Sequence, residues 1–212
     1  MPAPVLHIGN KNYSSWSLRP WLALKWGAIA FEENLIPLGG EGYGRSEIAA
    51  IRAVSPSGRV PALQLGEVTL YESLAICEWA AEQAPGLWPS DALARAEARS
   101  VACEMHAGFA ALRRDLSMNV RRRLGAEPDW PADTRADLER LFALWEHQLA
   151  RHGGPFFLAR APSLTRCSRL SPPVCAPMRF RSRLLRKPIA TPFSLTMLSS
   201  YGNARPAKRF GP

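Results

Sequence analysis

Short strand-like runs alternate with helix-period runs through the first 83 residues, and beyond residue 91 the alternation stops. That change of rhythm leaves few architectures. An alternating segment builds a sheet with helices against its faces, whereas long amphipathic runs bury their apolar stripe against other helices. VLHIG (5–9) has the composition of a strand. From Ser17 to Lys25, apolar Leu18, Trp21 and Leu22 recur at helical spacing, and Gly27 closes the segment. FEENLIPL (31–38) reads as a second strand weakened at its end by Pro37. SEIAAIRAV is a short helix, and VPALQL and VTLY flank the turn residues Gly66 and Glu67 as a hairpin. ESLAICEWAAEQ returns to helical period, with Leu74, Ile76, Cys77 and Ala80 on one side.

The order β-α-β-α-β-β-α is the layout of a thioredoxin-like α/β domain, expected over 1–83. APGLWPSD (84–91), with two prolines and a glycine, reads as a linker. An all-α domain is expected over 92–158. One helix-rich stretch runs from Ala92 to about Met118. A second, TRADLERLFALWEHQLAR (134–151), sets Leu138, Leu141, Phe142, Trp145 and Leu149 on one stripe. The glycines of GGEGYGRS (39–46) are too irregular for a phosphate-binding fingerprint, so that segment reads as a mobile loop.

Charge first suggests a polyanion partner, since the formal net charge is +9. Its distribution removes the suggestion. From Arg160 to Pro212 there are eleven Lys or Arg and no Asp or Glu, leaving residues 1–159 at a net of −2. Nucleic-acid binding would rest on the tail alone, and no aromatic-basic module accompanies it. No apolar run reaches 18 residues, and the N-terminus lacks the pattern of a signal peptide, so a cytoplasmic protein without a membrane span is expected. Cys77, Cys103, Cys167 and Cys175 have no metal-ligand spacing, and no metal is expected.

Three local patterns carry chemistry. NYSSWSLRPWLAL (12–24) puts Ser14 and Ser15 between the first strand and the first helix, where hydroxyls cap backbone N–H groups or face an anion. Val60-Pro61 opens the third strand, and Glu72-Ser73 opens the third helix. Together with the linker and the helical run, these resemble the serine-type cytosolic glutathione S-transferases over roughly residues 5–158, and most nearly the zeta class of maleylacetoacetate isomerases. That class carries a cysteine after its paired serines, where Trp16 stands here.

The resemblance implies that glutathione is the cosubstrate and that Val60, before a cis Pro61, pairs with its cysteinyl backbone. It implies that Glu72 and Ser73 hold its γ-glutamyl end. Arg45, in the loop before the second helix, is a candidate for its glycyl carboxylate. One serine of the pair would stabilise the thiolate: theta-type spacing from Arg19 points to Ser15, the zeta-type signature to Ser14. His106 is a candidate contact for the second substrate, and His7 reads as a packed or edge histidine rather than a catalyst. The implied function is activation of the glutathione thiol for conjugation to, or isomerisation of, a small electrophile, by a homodimer. The alternatives are a maleylacetoacetate-type isomerase and a catalytically silent glutathione-binding protein.

The resemblance stops near residue 158. The family continues with a buried helix opened by a serine and, three residues on, an aspartate. Here Ser163 is followed by Arg166, and then by Pro172, Pro173 and Pro177. Residues 159–212 therefore read as a basic, Pro/Arg-rich tail, expected to be disordered and to come from an out-of-frame continuation of the gene, leaving the helical domain incomplete.

Overall fold

The computed structural model describes residues 2–41, 46–121 and 129–152. Contacts divide the chain into two compact units, Met1–Ser117 and Met118–Pro212. The expectation for 159–212, and Arg45 within residues 42–45 of its loop, lie outside the described residues.

In the first unit the elements are β1 (Val5–Ile8), α1 (Ser15–Trp26), β2 (Glu32–Leu35), α2 (Ala49–Arg52), β3 (Ala62–Leu65), β4 (Val68–Leu70), α3 (Ser73–Gln83), α4 (Ala92–Ala107) and α5 (Ala110–Asp115). A 3-10 turn, Pro85–Leu87, lies in the segment read as a linker. The sheet order is β2-β1-β3-β4. β1 and β2 are parallel, while β3 runs antiparallel to both β1 and β4. This is the expected thioredoxin-like arrangement.

One face of the sheet carries Leu6, Ile8 and Leu63, all fully buried. Glu33 lies in register with Leu6 on that face. Its carboxylate accepts a hydrogen bond from Trp21 Nε1 of α1 at 2.7 Å, which places α1 over this face. Leu18, Leu22 and Leu24 of α1 and Ile76 and Ala80 of α3 complete the core. Each fully buried Leu or Ile contributes about 1.5–3 kcal/mol of transfer free energy. Burial works to raise the Glu33 pKa. The hydrogen bonds from Lys11 and Trp21 and the charges of Lys11 and Lys25 outweigh it, so the carboxyl titrates below its ordinary range. Its stabilising contribution is present above the ordinary carboxyl pKa and is lost as pH falls through the lowered value.

The opposite face carries His7, Asn34 and Gln64 beside Val5 and Ala62. His7, 4% exposed, pairs across the sheet with Asn34, Nδ1 to Nδ2 at 2.8 Å. Burial holds the His7 pKa down despite support from Gln64, so acidification opposes folding once the unfolded-state imidazole protonates.

Two expectations change in detail. The second strand is four residues, not eight. All four are exposed, and as an edge strand bearing Glu32 and Glu33 it is blunted by charge. The first helix runs through Pro20, as the run from Ser17 to Lys25 implied; at the sixth position of α1 the proline removes a single backbone hydrogen bond without ending the helix. The helical stretch from Ala92 breaks at Gly108 and Phe109, and Phe109 adopts φ 62°. A left-handed non-glycine residue costs about 1–2 kcal/mol, which burial of the Phe109 side chain to 6% exposure offsets. Arg113 donates from Nε to the Gly108 carbonyl at 3.1 Å, and its guanidinium also reaches the Met105 carbonyl. Two of the carbonyls at the break are thereby satisfied.

The second unit is described through α6 (Ala132–His152). Thr134 N donates to Asp133 Oδ1 at 2.9 Å in its first turn, and Arg135 pairs with Asp129 at 2.8 Å. Leu141 and Leu144 are buried, and the rings of Phe142 and Trp145 meet edge to face at 6.0 Å.

Gly58 and Gly66 both sit at φ above +60°, but a Cβ on Gly58 would lie 2.4 Å from the Ser46 carbonyl oxygen, whereas Gly66 has open space. Gly66→Ala is expected to cost about 1 kcal/mol for the backbone conformation alone. Gly58→Ala should cost at least twice that. Urea denaturation of the two variants checks this; equal midpoints would contradict the packing described.

Candidate active site

Sheet topology gathers the sequence-predicted residues at one end. β1 runs towards α1, and its partner β3 begins just after Val60-Pro61, joined by a cis peptide bond. Because β4 is antiparallel to β3, it delivers the chain to Glu72 and Ser73 at that same end. The C-terminal end of β1, the start of β3, and the N-termini of α1 and α3 therefore share one rim.

At the start of α1, Ser14 is the N-cap. Its Oγ accepts the Ser17 N–H at 3.3 Å, and its hydroxyl donates to Ser17 Oγ at 2.8 Å. Ser17 Oγ also accepts the Gly9 N–H at 3.1 Å, which ties the helix to the end of β1. Ser14 and Ser17 are 7% and 1% exposed. Ser15, the first helical residue, is half-buried, and its side chain makes no hydrogen bond among the described residues. The bland reading of the serines, helix capping, thus holds for Ser14, and leaves its oxygen at the positive end of a helix macrodipole.

At the start of α3, Glu72 is the N-cap. Its Oε1 accepts the Ser73 N–H at 2.7 Å and the Ser73 hydroxyl at 3.1 Å. Ser73 is 2% exposed. Val60 is half-buried, and among the described residues its backbone N–H and C=O have no hydrogen-bond partner. The donor and acceptor set suits a short zwitterionic peptide: a carboxylate acceptor for an ammonium, an N–H and hydroxyl for a carboxylate, and an open backbone edge for an extended chain.

A second layer joins the two helix starts. His106 of α4 lies with Nε2 3.5 Å from Glu72 Oε1 and meets the Trp16 ring edge-on at 5.3 Å. The guanidiniums of Arg19 and Arg113 lie 4.3 and 4.6 Å from the Trp16 ring centroid. Burial pushes the Arg19 pKa down to about 10, helped by the like charge of Arg113 and opposed by Cys77 and Glu72. Burial likewise pushes the Cys77 thiol up to about 12, so this α3 cysteine is a packing thiol and not a nucleophile. Sequence reading singled out His106 but missed the role of Trp16, Arg19 and Arg113. No helical period or motif links an α1 ring to an α5 arginine, so only the fold brings them together. His7 is the packed histidine expected. No group of His, Cys, Asp and Glu suited to a metal ion occurs among the described residues.

A thioredoxin-like sheet, a cis-proline strand start and two polar helix N-termini on one rim define a peptide- and thiol-binding fold of the glutathione-transferase type. Comparison with known proteins agrees. The family described as glutathione S-transferase, N-terminal domain, matches residues 13–83. The theta class glutathione S-transferase of Xanthomonas axonopodis pv. citri, solved with glutathione bound, is 31% identical. It aligns over 74% of each chain with a TM-score of 0.53. The maleylacetoacetate isomerase of Rattus norvegicus is 28% identical over 201 residues, 92% of this chain and 88% of the rat protein. That of Pseudomonas aeruginosa is 39% identical over 111 residues, 48% of this chain and 50% of the bacterial protein. The chain belongs to the glutathione S-transferase family.

Proposed function

We propose that this chain binds glutathione along the rim of its thioredoxin-like domain and activates the thiol for attack on, or isomerisation of, a small electrophile. It is an enzyme of the glutathione-dependent transferase and isomerase type. The observation that carries the reading is the convergence of the Ser14 N-cap, the unpaired Val60 peptide edge and the Glu72–Ser73 N-cap on one end of the sheet.

Each group has a task that its chemistry allows. The Ser73 N–H and hydroxyl take the γ-glutamyl carboxylate at the positive end of α3, exchanging the Glu72 carboxylate that they hold here. Glu72, released, meets the ammonium. Val60 pairs with the cysteinyl backbone. Arg45 remains the candidate for the glycyl carboxylate. A free thiol has a pKa of about 8.5, so lowering it by about two units requires roughly 2.7 kcal/mol of preference for the anion. Of the two serines, Ser14 suits this task better. Its oxygen is fixed at the start of α1 by the Ser17 N–H, whereas the Ser15 hydroxyl is unanchored. Ser15 and the first-turn amides add to the same field. Relatives named as maleylacetoacetate and maleylpyruvate isomerases favour isomerisation of a diacid as the second reading.

Domain boundaries of 1–83, 84–91 and 92–158 belong to this proposal, as does a cytoplasmic setting. So does a homodimer, for which Val68, Tyr71 and Leu93 supply exposed apolar surface near β4 and α4. Sedimentation velocity at micromolar concentration should give a dimer, and a monomer alone would contradict it. Calorimetry should show that Ser73→Ala weakens glutathione binding by about 1.5–3 kcal/mol, the range for a hydrogen bond to a charged group. Unchanged affinity in that variant would remove Ser73 from the site. Ultraviolet titration of bound glutathione should show the thiol pKa returning towards 8.5 in Ser14→Ala and much less so in Ser15→Ala. The reverse order would exchange the two roles.

A further inference from the structure

Ser17 has a hydroxyl that capping does not call for. An N-cap serine requires only the backbone N–H of the third helical residue, and that residue's side chain is otherwise free. In a capping box the third residue reaches back to the N-cap N–H. Here that N–H is already taken, because Ser14 N donates to the Asn10 carbonyl at 2.9 Å. The Ser17 oxygen instead accepts two donors, the Gly9 N–H at 3.1 Å and the Ser14 hydroxyl at 2.8 Å, at 1% exposure. Both its lone pairs are then used, and its own proton has no acceptor among the described residues. Ser14 is in the complementary state: its oxygen accepts only the Ser17 N–H, and its proton points inward. A proton parked on Ser17 is not available to a sulfur.

The pair is one rotation of each hydroxyl away from the arrangement that thiol activation needs. We propose that Ser17 is the positioning residue for Ser14: when the thiolate arrives, the Ser14 O–H turns to the sulfur and the Ser17 O–H turns to donate into Ser14 Oγ. No covalent bond changes, and the number of hydrogen bonds rises by one. Ser14 then accepts two hydrogen bonds while donating one, which polarises its O–H and strengthens it as a donor to the anion. The Gly9 N–H keeps Ser17 Oγ in place throughout, so the rotation costs no movement of β1 or α1. The inference rests on the reading of Ser14 as the thiol-facing hydroxyl.

The test is the pKa of glutathione's thiol when bound, read by ultraviolet thiolate absorbance in wild type, S17A, S14A and the S14A/S17A double variant. Binding of S-methylglutathione, which has no thiol to ionise, is measured beside it. In S17A the bound-thiol pKa should rise by about half to one unit, the worth of one hydrogen bond, while S-methylglutathione binds as in wild type. In the S14A background, adding S17A should move the thiol pKa no further, because Ser17 acts only through Ser14. If S17A loses S-methylglutathione binding as well, S17T is the variant read. Recovery of both binding and the low pKa supports the proposal, and failure to recover them overturns it. An unchanged pKa in S17A, or equal shifts in both backgrounds, overturns the role of Ser17 and leaves the glutathione reading standing. A wild-type protein that does not lower the thiol pKa overturns the glutathione reading itself.

Discussion

A buried three-group junction at the end of β1 holds the site together: the Gly9 N–H, the Ser17 hydroxyl and the Ser14 hydroxyl, linked at 3.1 and 2.8 Å. β1 is the strand to which both neighbours pair, and α1 covers the core face of the sheet. The junction sets where the helix begins relative to that strand, and so where its positive end lies. β3 and β4 then need only antiparallel pairing to bring Val60 and Ser73 to the same rim. A hydrogen-bonded hydroxyl with no exposure tolerates little change, because an unsatisfied buried polar group costs about 1–3 kcal/mol.

Around that junction the charges are segregated. Arg19 and Arg113 both lie against Trp16, and burial with mutual repulsion brings Arg19 down to about 10. Glu72 is linked to this group through His106, and it is also the N-cap of α3. The site is therefore cationic beside α1 and acidic at α3, which matches a peptide with separate carboxylate and ammonium ends. Burial raises the pKa of Cys77, in the first turns of α3, so this thiol stays protonated.

Much of this was legible in the residues. Period and turn chemistry gave the element order through Gln83, because each helix has an apolar stripe and each strand is bounded by Gly, Pro or a cap. Val60-Pro61, Glu72-Ser73 and the paired serines were each legible as a strand or helix start, and the sheet topology brings them to one rim. The misses have physical causes. β2 is shorter than its apolar run because an exposed edge strand is held by pairing with β1, and that register ends at Leu35. The break at Phe109 is invisible to periodicity, since a buried phenylalanine overrides its backbone preference. Ser17 carried a readable signal, the three-residue spacing from Ser14 of a cap, but its link to Gly9 is tertiary. The Trp16 cluster joins α1, α4 and α5, and no local pattern in a single sequence encodes it.

The central claim is that the N-terminus of α1 receives the sulfur and that of α3 receives the γ-glutamyl carboxylate. A crystal structure of the protein with glutathione tests both at once. The account predicts the sulfur within hydrogen-bond reach of Ser14 Oγ, the γ-glutamyl carboxylate on the Ser73 N–H and hydroxyl, and Glu72 turned to the ammonium. Glutathione bound elsewhere, or bound with its sulfur away from both Ser14 and Ser15, would contradict it.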